Sequence, residues 1–238
     1  MSCVFCHVRA FVTMMLLYGS IPMTAHSEVL PENALLSAAK SASDKDDLIG
    51  LQAIESKALA VDSGANRLGD RLMLHLSSGA IRTYEDKSDC RIAGHEANCQ
   101  KYRLVAHAGT RGVFVVAKLY YESAEYLLVD DSSGEEAVLR QLPVFSPSGK
   151  HALVLLENDE QLGFAIQIWR REGHRFVLDW SGSPHAEGMY TSYRLVQWRS
   201  ENTIDLQSET RFAPPKSNSL KKFTLRLTGT GWSVFDAP

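Results

Sequence analysis

The 238-residue chain carries 25 Lys and Arg against 28 Asp and Glu, a formal net charge of −3 at pH 7. Nucleic-acid phosphates need a basic face, so this weakly acidic balance argues against a nucleic-acid partner. A hydrophobic content of 45% is enough for a sizeable core, and the length suits one large or two small domains.

Residues 1–27 read as an export signal. Arg9 supplies the positive end, 10–17 form a short apolar run, and Ala25-His26-Ser27 places small side chains at the third and first positions before a cut after Ser27. The apolar run falls short of the roughly 20 residues that span a bilayer, and Pro22 follows it, so a membrane anchor is the weaker reading. Cys3 and Cys6 precede the apolar run, where a lipid-modified cysteine would not sit. Loss of Arg9, the one formally charged residue of this segment, takes the charge from −3 to −4. The expectation is a periplasmic or secreted protein with no transmembrane segment after cleavage.

Residues 28–57 form a helical or flexible leader, rich in Ala, Leu, Ser, Lys and Asp. Pro31 suits a first helical position, and Ser43 followed by Asp46 and Asp47 resembles the capped, acidic start of a second helix. Leu48, Leu51 and Ile54 share one face of that helix.

From Ala58 to the end, short alternating segments bounded by Gly, Asp, Asn and Ser predict a single all-β domain. Four units share one order of strand, longer loop, strand, Gly-bearing turn and strand. The first uses 58–61, 71–76, the turn 77–79 and 80–84; the second 113–121, 125–129, the turn 130–134 and 136–139. The third uses 151–156, 164–169, the turn 170–173 and 175–180; the fourth 203–206, 223–227, the turn 228–231 and 232–235. Segments 144–155 and 196–206 match further, with Phe145 and Trp198 as corresponding aromatics. Spacing of about 40–55 residues is that of propeller blades. The predicted fold is therefore a set of repeated antiparallel β-meanders, propeller-like and incomplete at four units, with a short N-terminal helical segment. A meandering β-sandwich is the alternative.

Cys90 and Cys99 are the cysteines left after the signal, and an even count in an oxidising compartment predicts a disulfide. A zinc site of Cys90, His95 and Cys99 is the sharper alternative, but it lacks a fourth ligand and a common zinc spacing. No metal or cofactor is expected.

The segment Phe145-Ser146-Pro147-Ser148-Gly149-Lys150-His151-Ala152-Leu153 resembles the strand-opening signature of TolB-type, WD40-like β-propeller repeats, with Ser148 where that signature has Asp. The broader run from Tyr126 to Arg170 is similar to exported bacterial proteins of unassigned function. The resemblance implies a scaffold that binds partners, and it carries over no catalytic residue.

Candidate chemistry is sparse. No Gly-x-Ser-x-Gly elbow, His-Glu-x-x-His helix or phosphate-cradling loop occurs. Asp130, Asp131, Glu135 and Glu136 surround a Ser-Ser-Gly turn, where turn chemistry accounts for them better than calcium does. Glu157, Asp159 and Glu160 form a second acidic cluster that supports, as the alternative function, hydrolysis of an envelope glycan or polymer. His75, His107, His151, His174 and His185 are scattered without metal-ligand spacing. The basic doublets Arg170-Arg171 and Lys221-Lys222 read as solvated strand faces. Trp169, Trp180, Trp198 and Trp232 read first as packing between sheets and second as a contact surface. The segment from His185 to Tyr193 reads as a contact loop, which makes Met189, Tyr190, Tyr193 and Trp198 the partner-binding candidates. The sequence thus points to an exported, non-enzymatic binding module that engages another envelope protein.

Overall fold

The computed structural model describes residues 48–61, 64–87, 99–121, 123–156, 165–186, 190–211 and 218–236. The predicted signal and the first part of the leader lie outside this range. One helix, α1 (Leu48–Val61), precedes fifteen described strands. These form four antiparallel sheets taken in chain order.

Sheet 1 contains β1 (Ala65–Leu68), β2 (Arg71–His75) and β3 (Ile81–Glu85). Sheet 2 contains β4 (Lys101–Ala108), β5 (Val113–Leu119), β6 (Ala124–Asp130) and β7 (Glu136–Leu139). Sheet 3 contains β8 (Val144–Phe145), β9 (His151–Leu155), β10 (Ile166–Glu172) and β11 (Arg175–Gly182). Sheet 4 contains β12 (Tyr190–Ser200), β13 (Thr203–Arg211), β14 (Ser219–Thr228) and β15 (Gly231–Asp236). In every sheet, sequential strands are spatial neighbours, as in a meander. The all-β expectation holds, as four separate sheets rather than the two of a sandwich. No closed barrel or propeller ring forms among the described residues.

Strand alternation decides how the sheets stack. Along β5 and β6, Phe114, Val116, Leu127 and Val129 point to one face and join Leu72, Leu74 and Tyr84 of sheet 1. Val113, Val115, Ala117, Tyr126 and Leu128 point to the other and join Ala152, Val154 and Phe176 of sheet 3. Sheet 3 repeats the division, since Leu153, Ile166 and Ile168 face Ile204, Leu206, Phe223 and Leu225 of sheet 4. Both middle sheets are therefore apolar on both sides, and each fully buried aliphatic side chain contributes roughly 1.5–3 kcal/mol.

Helix α1 covers the side of the first junction, with Leu51, Ile54 and Ala58 buried. Residues 58–61, expected as a strand, complete this helix: Ala58 falls four residues after Ile54 on the packed face, and Ala and Leu are strong helix formers. A buried carboxylate on the same face ties the helix to both sheets. Glu55, 4% exposed, accepts hydrogen bonds from Arg67 Nε at 3.0 Å, Arg67 Nη2 at 2.8 Å and the Leu104 backbone N–H at 3.0 Å. Asp86 balances the second cation, accepting from Arg103 Nη1 at 2.8 Å and from the Tyr102 N–H at 2.8 Å.

Four strands were not foreseen from sequence: β1, β4, the two-residue β8 and β12. In β4, Leu104-Val105-Ala106 is an unbroken apolar run because a bulge lies within a sheet buried on both faces. In β12, a bulge between Leu195 and Gln197 breaks the period-2 signal, so the segment expected as a loop from 185 is a strand from Tyr190 onward. The turn expected at 170–173 shifts to Gly173-His174, because Arg170, Arg171 and Glu172 continue β10 in register with β11.

Removing one partner of a buried ion pair leaves its counter-charge uncompensated. Glu55→Ala is expected to destabilise the fold by about 3 kcal/mol, read from the urea midpoint.

Candidate functional site

The richest polar region lies where the turns of successive sheets meet at one end of the stack. At the first junction, the Ser77 N–H donates to Asp131 Oδ1 at 2.9 Å, while Arg82 Nη2 and the Tyr84 hydroxyl donate to Glu136 Oε1 at 2.5 and 2.7 Å. Burial raises the Tyr84 hydroxyl pKa, and the Glu136 carboxylate raises it further. At the second junction, the Arg171 guanidinium from sheet 3 donates to the carbonyls of Arg111 and Gly112 and to the Asp130 carboxylate of sheet 2. At the third, Glu201 Oε2 accepts from Ser146 Oγ at 2.7 Å and Oε1 from the Ser148 N–H at 2.5 Å. These are charge-assisted bonds, shorter and stronger than neutral ones.

The Phe145–His151 signature has a physical purpose here. Ser146, fully buried, uses its hydroxyl both to reach Glu201 and to accept the His151 N–H at 3.0 Å. Gly149 sits at φ +75°, and a Cβ there would lie 2.5 Å from Arg111 Cδ and 2.7 Å from Cγ. The turn thus needs glycine both for its backbone and for the Arg111 stem, whose guanidinium lies 5.5 Å from the Phe145 ring centre.

Ser132, His174 and Asp130 are together at the second junction and invite comparison with a nucleophile, base and carboxylate. Ser132 Oγ lies 2.8 Å from His174 Nδ1 and donates to Asp130 Oδ1 at 2.5 Å. A hydroxyl has one proton. With that proton on the Asp130 side, His174 Nδ1 is the donor to Ser132 and does not act as its base. Asp130 is itself occupied by the Ser132 and Ser133 backbone N–H groups at 3.0 and 2.9 Å. Burial pushes the Asp130 carboxyl up, but the bonds from Ser132, Ser133 and Arg171 outweigh it and hold the group at about 2. The cluster locks a hairpin turn and fastens sheet 3 to sheet 2. Asp131, Glu135 and Glu136 do not converge with Asp130 on one point: Asp131 and Glu136 turn to sheet 1 instead.

The third junction holds the aromatic candidates. Tyr193 is 9% exposed, lies edge-on to Phe223, and donates its hydroxyl to the Pro184 carbonyl at 2.7 Å. Burial pushes its pKa up to about 12. Trp198 is partly buried against Trp232, the ring centres 6.4 Å apart. Trp232 Nε1 in turn donates to Asp179 Oδ2 at 2.8 Å, which Arg170 Nε also approaches at 2.9 Å through Oδ1. Tyr193 and Trp198 therefore pack sheet 4 onto sheet 3 and present little surface. Tyr190 opens β12 with its side chain outside the described part, and Met189 lies outside the described residues, as do Cys90, His95, Glu157, Asp159 and Glu160. Cys99, the other half of the predicted disulfide, is 2% exposed.

No protein-family model, curated protein or solved structure matches this chain.

The sequence reading missed the junction ties because both partners look like ordinary turn residues, and the pairing spans 52–55 positions at the first and third junctions. The same spacing, met at both ends of the stack, is the signal that could have found them.

Buried between sheets 3 and 4, His151 is 4% exposed and lies edge-on to Trp232 at 5.5 Å, and among the described residues neither ring nitrogen makes a well-aligned hydrogen bond. Burial lowers its pKa below the ordinary 6.5; Asp179 and Glu201 pull it up, and Arg170 pushes it down. The folded state thus binds fewer protons than the unfolded chain. The resulting stability is present above pH 6.5 and is lost as pH falls through the folded-state value. His151→Phe is expected to flatten this dependence in urea midpoints compared between pH 7.5 and pH 5. Gly149→Ala is expected to lower stability by about 1–2 kcal/mol from the positive φ alone, with the Arg111 clash adding to it, by the same assay.

Proposed function

We propose that this chain is an exported, non-enzymatic binding module, built as a propeller-like stack, that engages another protein of the bacterial envelope. The observation that carries this reading is the use made of the polar clusters. Asp130, Ser132, His174, Arg171, Asp131 and Glu201 join one sheet's turns to the next, which leaves the exposed faces and edges as the working surface. The propeller-like description rests on the meander order of each sheet, the recurring spacing of the junction ties and the resemblance of residues 145–153 to a propeller repeat signature. Export rests on residues 1–27, and the Cys90–Cys99 disulfide expected from the cysteine count would fit an oxidising compartment. Exposed Leu68, Ile81, Leu178 and Phe235 on edge strands, with Leu220 on β14, are the apolar points that an interaction surface uses.

The envelope form of the protein is expected to begin at Glu28 and to yield a linked Cys90–Cys99 peptide under non-reducing mapping. Captured after mild cross-linking in envelope extract, it is expected to hold one protein at near-equal stoichiometry. Retention of no protein, together with glycan hydrolysis that is lost in a Glu157→Gln, Asp159→Asn, Glu160→Gln variant, would replace this reading with the hydrolase alternative.

A further inference from the structure

Sheet 4 has one face on sheet 3 and no described element on the other. The outward residues follow from register. Arg194 of β12, Gln207 of β13 and Lys222 of β14 form one row, and Gln197, Asp205, Thr224 and Phe235 form the next. Thr203 and Arg226 form a third row, while Arg199, beyond the β12 bulge, reaches back to Asp205.

The row beyond Arg194 and Lys222 is Ser192, Glu209 and Leu220, so the face carries Arg194, Arg199, Lys222 and Arg226 against Asp205 and Glu209, an excess of positive charge. Asp205, 8% exposed, is taken up by Arg199 Nε at 2.5 Å, Gln197 Nε2 at 2.8 Å and Thr224 Oγ1 at 2.9 Å. Arg194 donates to the neutral Gln207 at 2.7 Å, and Arg226 lies 5.0 Å from the Phe235 ring centre. Among the described residues no ion pair is found for Arg194, Lys222 or Arg226, and all three are exposed. Strand geometry sets Lys222 roughly 10 Å from Arg194 and roughly 14 Å from Arg226, with Arg194 and Arg226 about 17 Å apart, from about 3.4 Å per residue along a strand and 4.8 Å between strands. This positive excess belongs to a chain whose formal charge is −3. A region of sign opposite to the whole molecule steers and orients a partner of complementary charge.

We infer that the outer face of sheet 4 is the docking surface for an acidic segment of the protein partner. This inference rests on the binding-module reading and specifies its face and the chemistry of its ligand. Arg194, Lys222 and Arg226 receive carboxylates. Leu220 and Phe235, 59% and 41% exposed, flank them with apolar contacts. Asp205 is already taken up by Arg199, Gln197 and Thr224 and so does not compete for the other cations.

The test uses the exported chain and a fluorescein-labelled decaglutamate peptide, followed by anisotropy at 20 and 150 mM salt. Binding is expected at low salt and is expected to weaken at the higher salt. Arg194→Gln, Lys222→Gln, Arg226→Gln together are expected to reduce affinity about tenfold, from three exposed attractions lost. The control Lys57→Gln, Arg71→Gln, Arg175→Gln removes as many exposed cations elsewhere and is expected to leave binding unchanged. Equal urea midpoints confirm that the sheet 4 variant is folded. Equal peptide binding by the wild-type and sheet 4 variant chains would overturn the inference, as would no binding at all. Sedimentation with phosphatidylglycerol vesicles in the absence of peptide binding would also overturn it, in favour of a lipid surface. If the envelope partner is captured equally by the wild-type and sheet 4 variant chains, the assignment of the face fails while the binding-module reading stands.

Discussion

Everything in this fold depends on the fact that a β-sheet in the middle of a stack must find an apolar partner on each face. Sheet 2 alternates Phe114, Val116 and Val129 with Val113, Val115 and Leu128, and neither set is exposed. Such a sheet has no stable existence by itself. It is stable only while sheet 1 lies on one side and sheet 3 on the other, and sheet 3 makes the same demand of sheet 4. The end sheets need one apolar face each, and their outward faces are free to be polar.

Stacking by apolar contact alone would fix the distance between sheets but leave them free to slide, because dispersion and hydrophobic burial are not directional. The turn end supplies the missing direction. Asp131, Arg171 and Glu201 each hold backbone groups of the preceding sheet's turns by short charge-assisted bonds. At the opposite side of the first junction, Glu55 and Asp86 pair with Arg67 and Arg103, and fix where the helix crosses. Ionisable residues are thereby placed where they determine register. The same placement explains why a serine, a histidine and an aspartate come together in this protein without forming a proton relay.

A rigid stack with polar locks at its turns is well suited to presenting a surface. Sheet 4 is the clearest instance, since its buried face is held by Tyr193, Trp198, Phe223 and Trp232, while its outward face carries cations on a backbone that cannot move independently of the core. A backbone already fixed by the core has no freedom left to lose when a partner arrives, which favours recognition over a flexible basic tail of equal charge.

The sequence alone determined the all-β class, the turn positions near 78, 132 and 229, and the meander order, because each follows from neighbours within a few positions. Gly79, Gly134 and Gly231 take the positive φ that glycine permits, and alternation marked the central strands. It did not reveal β4 or β12, since bulges and two-sided burial erase the period-2 pattern on which that reading relies. Nor could it separate Trp198 the packing residue from Trp198 the contact residue, or Arg171 the tie from Lys222 on the open face. Each pair looks alike as sequence, and they differ only in what lies opposite them across a junction of two sheets. That is a property of tertiary packing, set by residues some fifty positions away.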